Sequence, residues 1–207
     1  MITLYHAPHS CSLAVKAALT KTGVEFDTTI INFSEGDHKK EAFLKINPLA
    51  KVPAITVDGH ILTEGAAINL YLSEKYPEAG LMPEAGTLQK ANALKWLQFM
   101  YATVHPQFSI AFYPERYGDD KNFIKAKAEA EIHRLFSIIN SELEQNPFIA
   151  GDQLTLADLY LMTVIHWGSV LEKPIISSYK AIDKFEQRMF SVPVVGDVFQ
   201  QEYNASS

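Results

Sequence analysis

ITLYHAPHSCSLAVKAALTKT, residues 2–22, is the stretch whose reading decides the fold. Residues 2–5 form a short run of strand formers. A loop, HAPHS, follows at 6–10. From Cys11 to Thr22 apolar residues return at helical spacing, and Gly23 ends the pattern. A short strand, a tight loop and a helix closed by glycine open an α/β unit.

Working outward, residues 26–31 (FDTTII) read as a second strand and 38–46 as a short helix. VPAITV and HILT follow as strand-like runs around Asp58-Gly59, a strong hairpin signal. Residues 65–76 (GAAINLYLSEKY) read as another helix. The expected order is β-α-β-α-β-β-α over residues 1–77. Residues 78–86 hold most of PEAGLMPEAG, whose prolines and glycines mark a linker. Residues 87–207 are expected to form an all-helical domain, with patterns at 87–113, 121–144, 155–170 and 179–190. In LTLADLYL, Thr155 and Asp158 approximate a capping box, and Leu154 and Leu159 a hydrophobic staple; this motif reads as structural.

The chain has 207 residues and 47% hydrophobic composition, enough to bury a core without staples. The net charge of −6 argues against nucleic acid as the main partner, since phosphate binding favours a basic face. Cys11 is the single cysteine, so no internal disulfide is possible. MITLYHAPHS lacks the basic and apolar regions of a secretory signal, and no apolar run approaches the roughly 18 residues of a membrane span. A cytoplasmic location is expected. His6, His9, His38, His60, His133 and His166 show no ligand spacing with Cys11 or one another, so no metal is expected.

Four places carry chemistry. Cys11 stands at the start of a helix, where unpaired N–H groups and partial positive charge favour a thiolate, its own or a ligand's. Ser10 and Ser12 flank it with hydroxyls. The alternative is a buried, inert cysteine. Val52-Pro53 opens a strand and is either an ordinary trans proline or a cis-proline that turns the Val52 backbone towards a ligand. Thr63-Glu64-Gly65-Ala66 joins a strand to a helix. It suits an amino-acid zwitterion, with Glu64 for the ammonium and the helix start for the carboxylate; helix capping is the plainer reading. His105 precedes Pro106, which cannot donate to the Ala102 carbonyl, so a kink there could aim the histidine into a cleft. A packed or surface histidine is the alternative.

The ordered set LYHAPHSCSLA, NPLAKVPAI, LTEGAAINLYL, ATVHPQF and LTLADLYL resembles the cytosolic glutathione transferases, most closely the bacterial beta class. The resemblance spans nearly the whole chain. It implies a thioredoxin-like N-terminal domain, an all-α C-terminal domain, a homodimer, glutathione as co-substrate and a detoxifying role. It also implies roles. Cys11 falls on the cysteine that contacts the glutathione sulfur and can form a mixed disulfide with it. Val52 and Pro53 fall on the cis-proline site that pairs with the cysteinyl backbone. Glu64 and Gly65 fall on the dipeptide holding the γ-glutamyl end, with Gly65 where many classes have serine. His105 falls on a histidine near the sulfur, and Gln98 and Thr103 on helix positions that reach glutathione, partly across the dimer. Tyr5 matches a first-strand tyrosine that is not the main activator in this class.

FSEGDHKK is shorter than in typical beta-class members and leaves no clear counterpart for their lysine on the glycyl carboxylate. His38 is similar to a ligand-contacting histidine of the insect delta class, and Lys39 or Lys51 could also serve. Ser10 could donate to the thiol as serines do in the delta and theta classes. Tyr101, Phe108, Phe112, Tyr113 and Trp167 are candidate walls for a small apolar electrophile, with bundle core as the alternative for each. The expected activity is conjugation of the glutathione thiolate to such electrophiles. Alternatives are thiol–disulfide exchange or peroxide reduction through a Cys11 mixed disulfide, and a non-catalytic transferase-like binding protein.

Overall fold

The structure is a computed structural model whose described residues are 1–204. In chain order it contains β1 (Ile2–His6), α1 (Ser12–Thr22), β2 (Phe26–Ile30), α2 (Glu41–Leu44), β3 (Ala54–Val57), β4 (His60–Thr63) and α3 (Gly65–Lys75). There follow α4 (Leu88–Gln98), α5 (His105–Phe112), α6 (Lys121–Leu143), α7 (Leu156–Trp167), α8 (Ile175–Ser178), α9 (Lys180–Phe190) and α10 (Val195–Asn204). Two compact units result among the described residues: 1–82 with 190–204, and 83–189. The division between Met82 and Pro83 falls inside the expected linker.

The first unit has the thioredoxin-like arrangement. Its sheet runs β2-β1-β3-β4, with β1 parallel to β2 and β3 antiparallel to both β1 and β4. β1 is central, so Ile2 and Leu4 are buried while Tyr5 reaches a second cluster of Ala7, Ile31, Phe43 and Val52. The β3–β4 hairpin turns on Asp58 (φ 49°) and Gly59 (φ 85°), the pair of positive φ angles that a type I′ turn requires. Gly23 closes α1 in the left-handed conformation (φ 71°), where a side chain would be strained. α1 is buried along Leu13, Ala14, Val15, Ala17, Ala18 and Leu19.

α10 lies outside the sequence reading, which ended its helices at residue 190 and grouped everything from 87 onwards as one helical domain. The last helix packs on α1 instead. The reason is its buried face: Val195, Val198, Phe199 and Glu202 recur at the spacing of one helical stripe. Pro193 and Gly196 obscure this short stripe in the sequence.

In the second unit the long pattern at 87–113 divides into α4, a π-helical turn over Phe99–Val104, and α5. The His105 N–H bonds the Met100 carbonyl, five residues back. Pro106 follows directly and offers no N–H to Ala102, so the helix widens just before it. α7 is the buried axis of this unit, with Leu156 through Ile165 all buried. Its capping box is present as expected: Asp158 accepts from the Thr155 N–H at 2.7 Å and from the Thr155 hydroxyl at 3.0 Å. Asp158 also accepts from the Ile149 N–H at 2.7 Å, a tie to the preceding loop beyond the box itself.

Candidate functional site

The loop between β1 and α1 is held by its own polar groups. The Ser10 hydroxyl donates to the Ala7 carbonyl at 2.7 Å and lies 2.6 Å from the Ser12 hydroxyl. The Ser12 N–H donates back to Ser10 Oγ at 3.2 Å. Cys11 occupies the N-cap of α1, and its Sγ donates to the Val52 carbonyl at 3.1 Å. The Val52–Pro53 peptide is cis, the rarer of the two states open from sequence. The strand entry thus brings Val52 beside the helix entry, two segments 41 residues apart.

The thiol's ionisation departs from expectation. A helix start favours a thiolate, yet burial pushes the Cys11 thiol up to about 12. Its own N–H and the charge of Lys51 oppose that rise, while the charge of Glu64 adds to it. Desolvation outweighs the few tenths to one kcal/mol that a helix terminus supplies. Cys11 is therefore a neutral thiol, a hydrogen-bond donor rather than an anion at neutral pH. Ser10 departs too: its hydroxyl hydrogen is spent on the Ala7 carbonyl.

Val52 rests on a brace absent from the sequence reading. Buried Asn47 donates through Nδ2 to the Lys51 carbonyl at 2.7 Å and accepts from the Leu49 N–H at 3.1 Å. The brace curls residues 47–51 and delivers Val52 to Cys11. The signal in the sequence is the Asn-Pro pair of NPLAKVPAI, a turn former whose side-chain role needs coordinates to see.

Glu64 precedes α3 with φ 67° and ψ 109°, a backbone conformation costly for any residue with a side chain. Its side chain makes no helix-capping bond, so the plain capping reading does not account for it. The carboxylate is exposed, and Gly65 behind it is buried. The turn thus sets an uncapped, exposed acid beside the start of α3. Lys51 is exposed, and part-buried His38 stacks edge-on against Phe33 at 4.8 Å.

The remaining candidates belong to the second unit. Gln98 is the last residue of α4 and Thr103 lies in the π-helical turn, both exposed. His105 Nδ1 is 2.5 Å from the hydroxyl of buried Tyr160, and its ring meets Trp167 edge-on at 4.9 Å. Tyr101 stacks on Tyr160 with ring centroids 3.7 Å apart. Phe108 is 1% exposed among Phe112, Phe136 and Trp167, the core alternative of the two offered for it. Phe112 and Tyr113 keep 38% and 44% of their surfaces open, as a pocket wall would. Tyr160 was missed, because in the sequence it is one more apolar-face residue of α7. Tyr160→Phe is expected to cost about 0.5–1.5 kcal/mol by removing the hydroxyl's hydrogen bond with His105. A thermal melt of the variant checks this; an unchanged midpoint would mean that the bond contributes nothing.

Among the described residues there is no group of His, Cys, Asp and Glu that could hold a metal ion. No helix among them is long and apolar enough to cross a membrane.

The family described as glutathione S-transferase, N-terminal domain, matches residues 1–74, and the glutathione S-transferase C-terminal domain matches residues 94–193. The chain is 28% identical to glutathione S-transferase GstA of Escherichia coli O157:H7, over 96% of this chain and 98% of that one. A sphingomonad glutathione S-transferase complexed with glutathione superposes with a TM-score of 0.85 at 30% identity, covering 98% of this chain and 100% of the other. The beta-class glutathione S-transferase of Sphingomonas chungbukensis gives 0.84 at 32%, with 97% and 98% covered. With both domain families matched in order along the chain, the chain belongs to the glutathione S-transferase family.

Proposed function

We propose that this chain is a glutathione transferase that binds the tripeptide's sulfur at the Cys11 turn and adds its thiolate to small apolar electrophiles. The observation that carries the reading is the pairing of Cys11 Sγ with the Val52 carbonyl beside the cis-proline. That carbonyl suits the cysteinyl N–H of glutathione. On arrival the ligand takes the Val52 carbonyl, and the Cys11 S–H swings to the ligand sulfur. Glu64 meets the γ-glutamyl ammonium, and the N–H groups at the start of α3, from Gly65 on, meet its carboxylate. Lys51 or His38 serves the glycyl carboxylate.

The energetics fit a donor role. A thiol of pKa about 8.5 is only a few per cent ionised at neutral pH. Lowering that by about two requires roughly 2.7 kcal/mol of preference for the anion. The start of α1 supplies about 0.3–1 kcal/mol, and a hydrogen bond to a charged partner about 1.5–3 kcal/mol. A neutral Cys11 thiol is the right donor for that second share; an anionic one would repel the ligand. In the same reading His105, held by Tyr160, joins the Cys11 region in stabilising the thiolate, and Phe112, Tyr113 and Trp167 are the candidate walls for the electrophile. Gln98 and Thr103, both exposed, suit the family's shared-dimer positions, and we include a homodimer and a cytoplasmic location in the proposal.

Thiol–disulfide exchange through Cys11 fits less well, because the attacking species must be a thiolate and burial disfavours it here. The test is thioether formation with an aromatic halide, wild type against Cys11→Ala. Cys11→Ala is expected to lose roughly tenfold in kcat/KM, the loss of about 1.4 kcal/mol of anion stabilisation. Cys11 in the ligand-free protein should also resist alkylation at neutral pH. Rapid alkylation at pH 7, with a glutathione adduct formed from oxidised glutathione, would favour the disulfide route. Bound glutathione without conjugation of any electrophile would favour a binding protein.

A further inference from the structure

Beyond α5 the chain makes a 3-10 turn over Pro114–Arg116. The Arg116 N–H closes it on the Tyr113 carbonyl at 3.1 Å. In such a turn side chains three residues apart eclipse, so Arg116 comes to lie over Tyr113. Its guanidinium carbon is 4.0 Å from the ring centroid, and both residues are exposed. A guanidinium on a ring face spends none of its N–H groups there, and the fork stays open for a planar anion.

No acid of the chain takes that fork. Among the described residues Arg116 forms no ion pair, although Glu115, Asp119 and Asp120 lie close to it in sequence. Asp120 is engaged as the cap of α6, accepting from the Phe123 N–H at 3.0 Å. The lysines of α6 are placed differently. Lys125 stands 3.7 Å from Glu129 Oε1, and Lys127 lies over Phe123, whose ring meets no other ring among the described residues.

Tyr113, by contrast, continues a row of rings. His105 meets Trp167 at 4.9 Å, Trp167 meets Phe108 at 5.6 Å, and Phe108 meets Phe112 at 5.7 Å. His105, Phe108 and Phe112 are spaced to share one face of α5. The helix rises about 10 Å from the first of them to the last. One end of the row holds the histidine assigned to the thiolate. The other end opens to solvent at Phe112 and Tyr113, with a cation that has no anion.

We propose that Arg116 is a specificity-determining residue, selecting apolar electrophiles that carry a carboxylate about 10 Å from the atom the thiolate attacks. The proposal rests on the glutathione transferase reading above and names the electrophile class that reading leaves open. A neutral electrophile gains only apolar burial along the row; a carboxylate adds paired N–H bonds from the Arg116 fork. Glu115 and Asp119 keep the local field mixed, so the gain comes from contact and not from long-range steering. Exposure to water holds it to a modest factor.

The probes are ethacrynic acid, an aryl enone whose carboxylate lies at the end remote from its reactive methylene, and the corresponding neutral amide. The glutathione sulfur bonds to the terminal alkene carbon, and the carbon next to the ketone takes up a proton. Nothing leaves, and the two probes differ in charge only at the far end. Steady-state kinetics are measured on the full chain at saturating glutathione. In the wild type, KM for the acid should lie about three- to tenfold below KM for the amide, and the gap should narrow as salt is added. Arg116→Gln should erase the gap by raising KM for the acid, with kcat for each probe within about twofold of wild type. Arg116→Lys should keep only part of the gap, because an ammonium has no fork. Lys127→Gln removes a neighbouring cation and should leave the gap intact. Arg116 is exposed, so its variants should melt as the wild type does. A wild type that conjugates an aromatic halide yet takes the acid no better than the amide overturns the proposal. A preference for the acid that survives Arg116→Gln also overturns it. Bound glutathione with no electrophile conjugated, the halide included, defeats the transferase reading itself, and this inference with it.

Discussion

Asp158→Ala should cost the second unit about 3–4 kcal/mol, because it leaves the buried Ile149 and Thr155 N–H groups without acceptors and removes the cap of α7. For a chain of this size that is a fall of roughly 10 °C in melting temperature. The cost is large because α7 is buried along nearly its whole length and the Ile149 loop is fastened to its first turn. Asp158→Asn should fare little better, since its amide nitrogen faces another N–H wherever it is turned. The pH dependence gives an independent check. Burial raises the Asp158 carboxyl from its ordinary 3.8 to about 6, against the hydrogen bonds that would lower it. A raised folded-state value means that this group's stabilisation is complete at the lowest pH and is lost as pH rises through about 6. The stability gap between wild type and Asp158→Asn should therefore narrow between pH 4 and 8, by about 3 kcal/mol at most. A gap that widens with pH would show that the ionised carboxylate is the stabilising form.

Removing the Glu64 carboxylate is expected to have the largest effect on ligand binding. Glu64→Ala should weaken glutathione affinity roughly 10- to 50-fold, the loss of one charge-assisted bond to an ammonium in a partly solvated place. Glu64→Gly should lose as much affinity but melt higher than Glu64→Ala, by about 1 kcal/mol, because glycine tolerates φ 67°. Calorimetry with glutathione and a melt of each variant separate the two effects. Equal stability of the two variants would show that the turn carries no strain. Undiminished affinity in both would remove Glu64 from the site.

Much of this was legible in the sequence because it is local. The strand-loop-helix at 2–22, the Asp58-Gly59 hairpin and the Thr155–Asp158 box each lie within one short window, where periodicity and turn chemistry act directly. Cys11, Val52-Pro53 and Glu64 were legible as candidates for the same reason: each sits at an element boundary. What escaped was nonlocal. The Cys11 thiol is neutral because of the burial that tertiary packing imposes, and a helix start alone argued the reverse. Tyr160 reaches His105 from another helix, and Glu202 reaches His9 across 193 residues. The widened turn at Phe99–Val104 ends two residues before the proline that signalled it, because the missing N–H frees a carbonyl upstream.

The central claim concerns where a tripeptide's sulfur comes to rest, and a crystal structure of the chain with reduced glutathione tests it most directly. The account predicts the ligand sulfur within hydrogen-bonding reach of Cys11 Sγ, the cysteinyl backbone paired with Val52 and the γ-glutamyl ammonium on Glu64. A structure in which glutathione lies elsewhere, with Cys11 still bonded to the Val52 carbonyl, would contradict it.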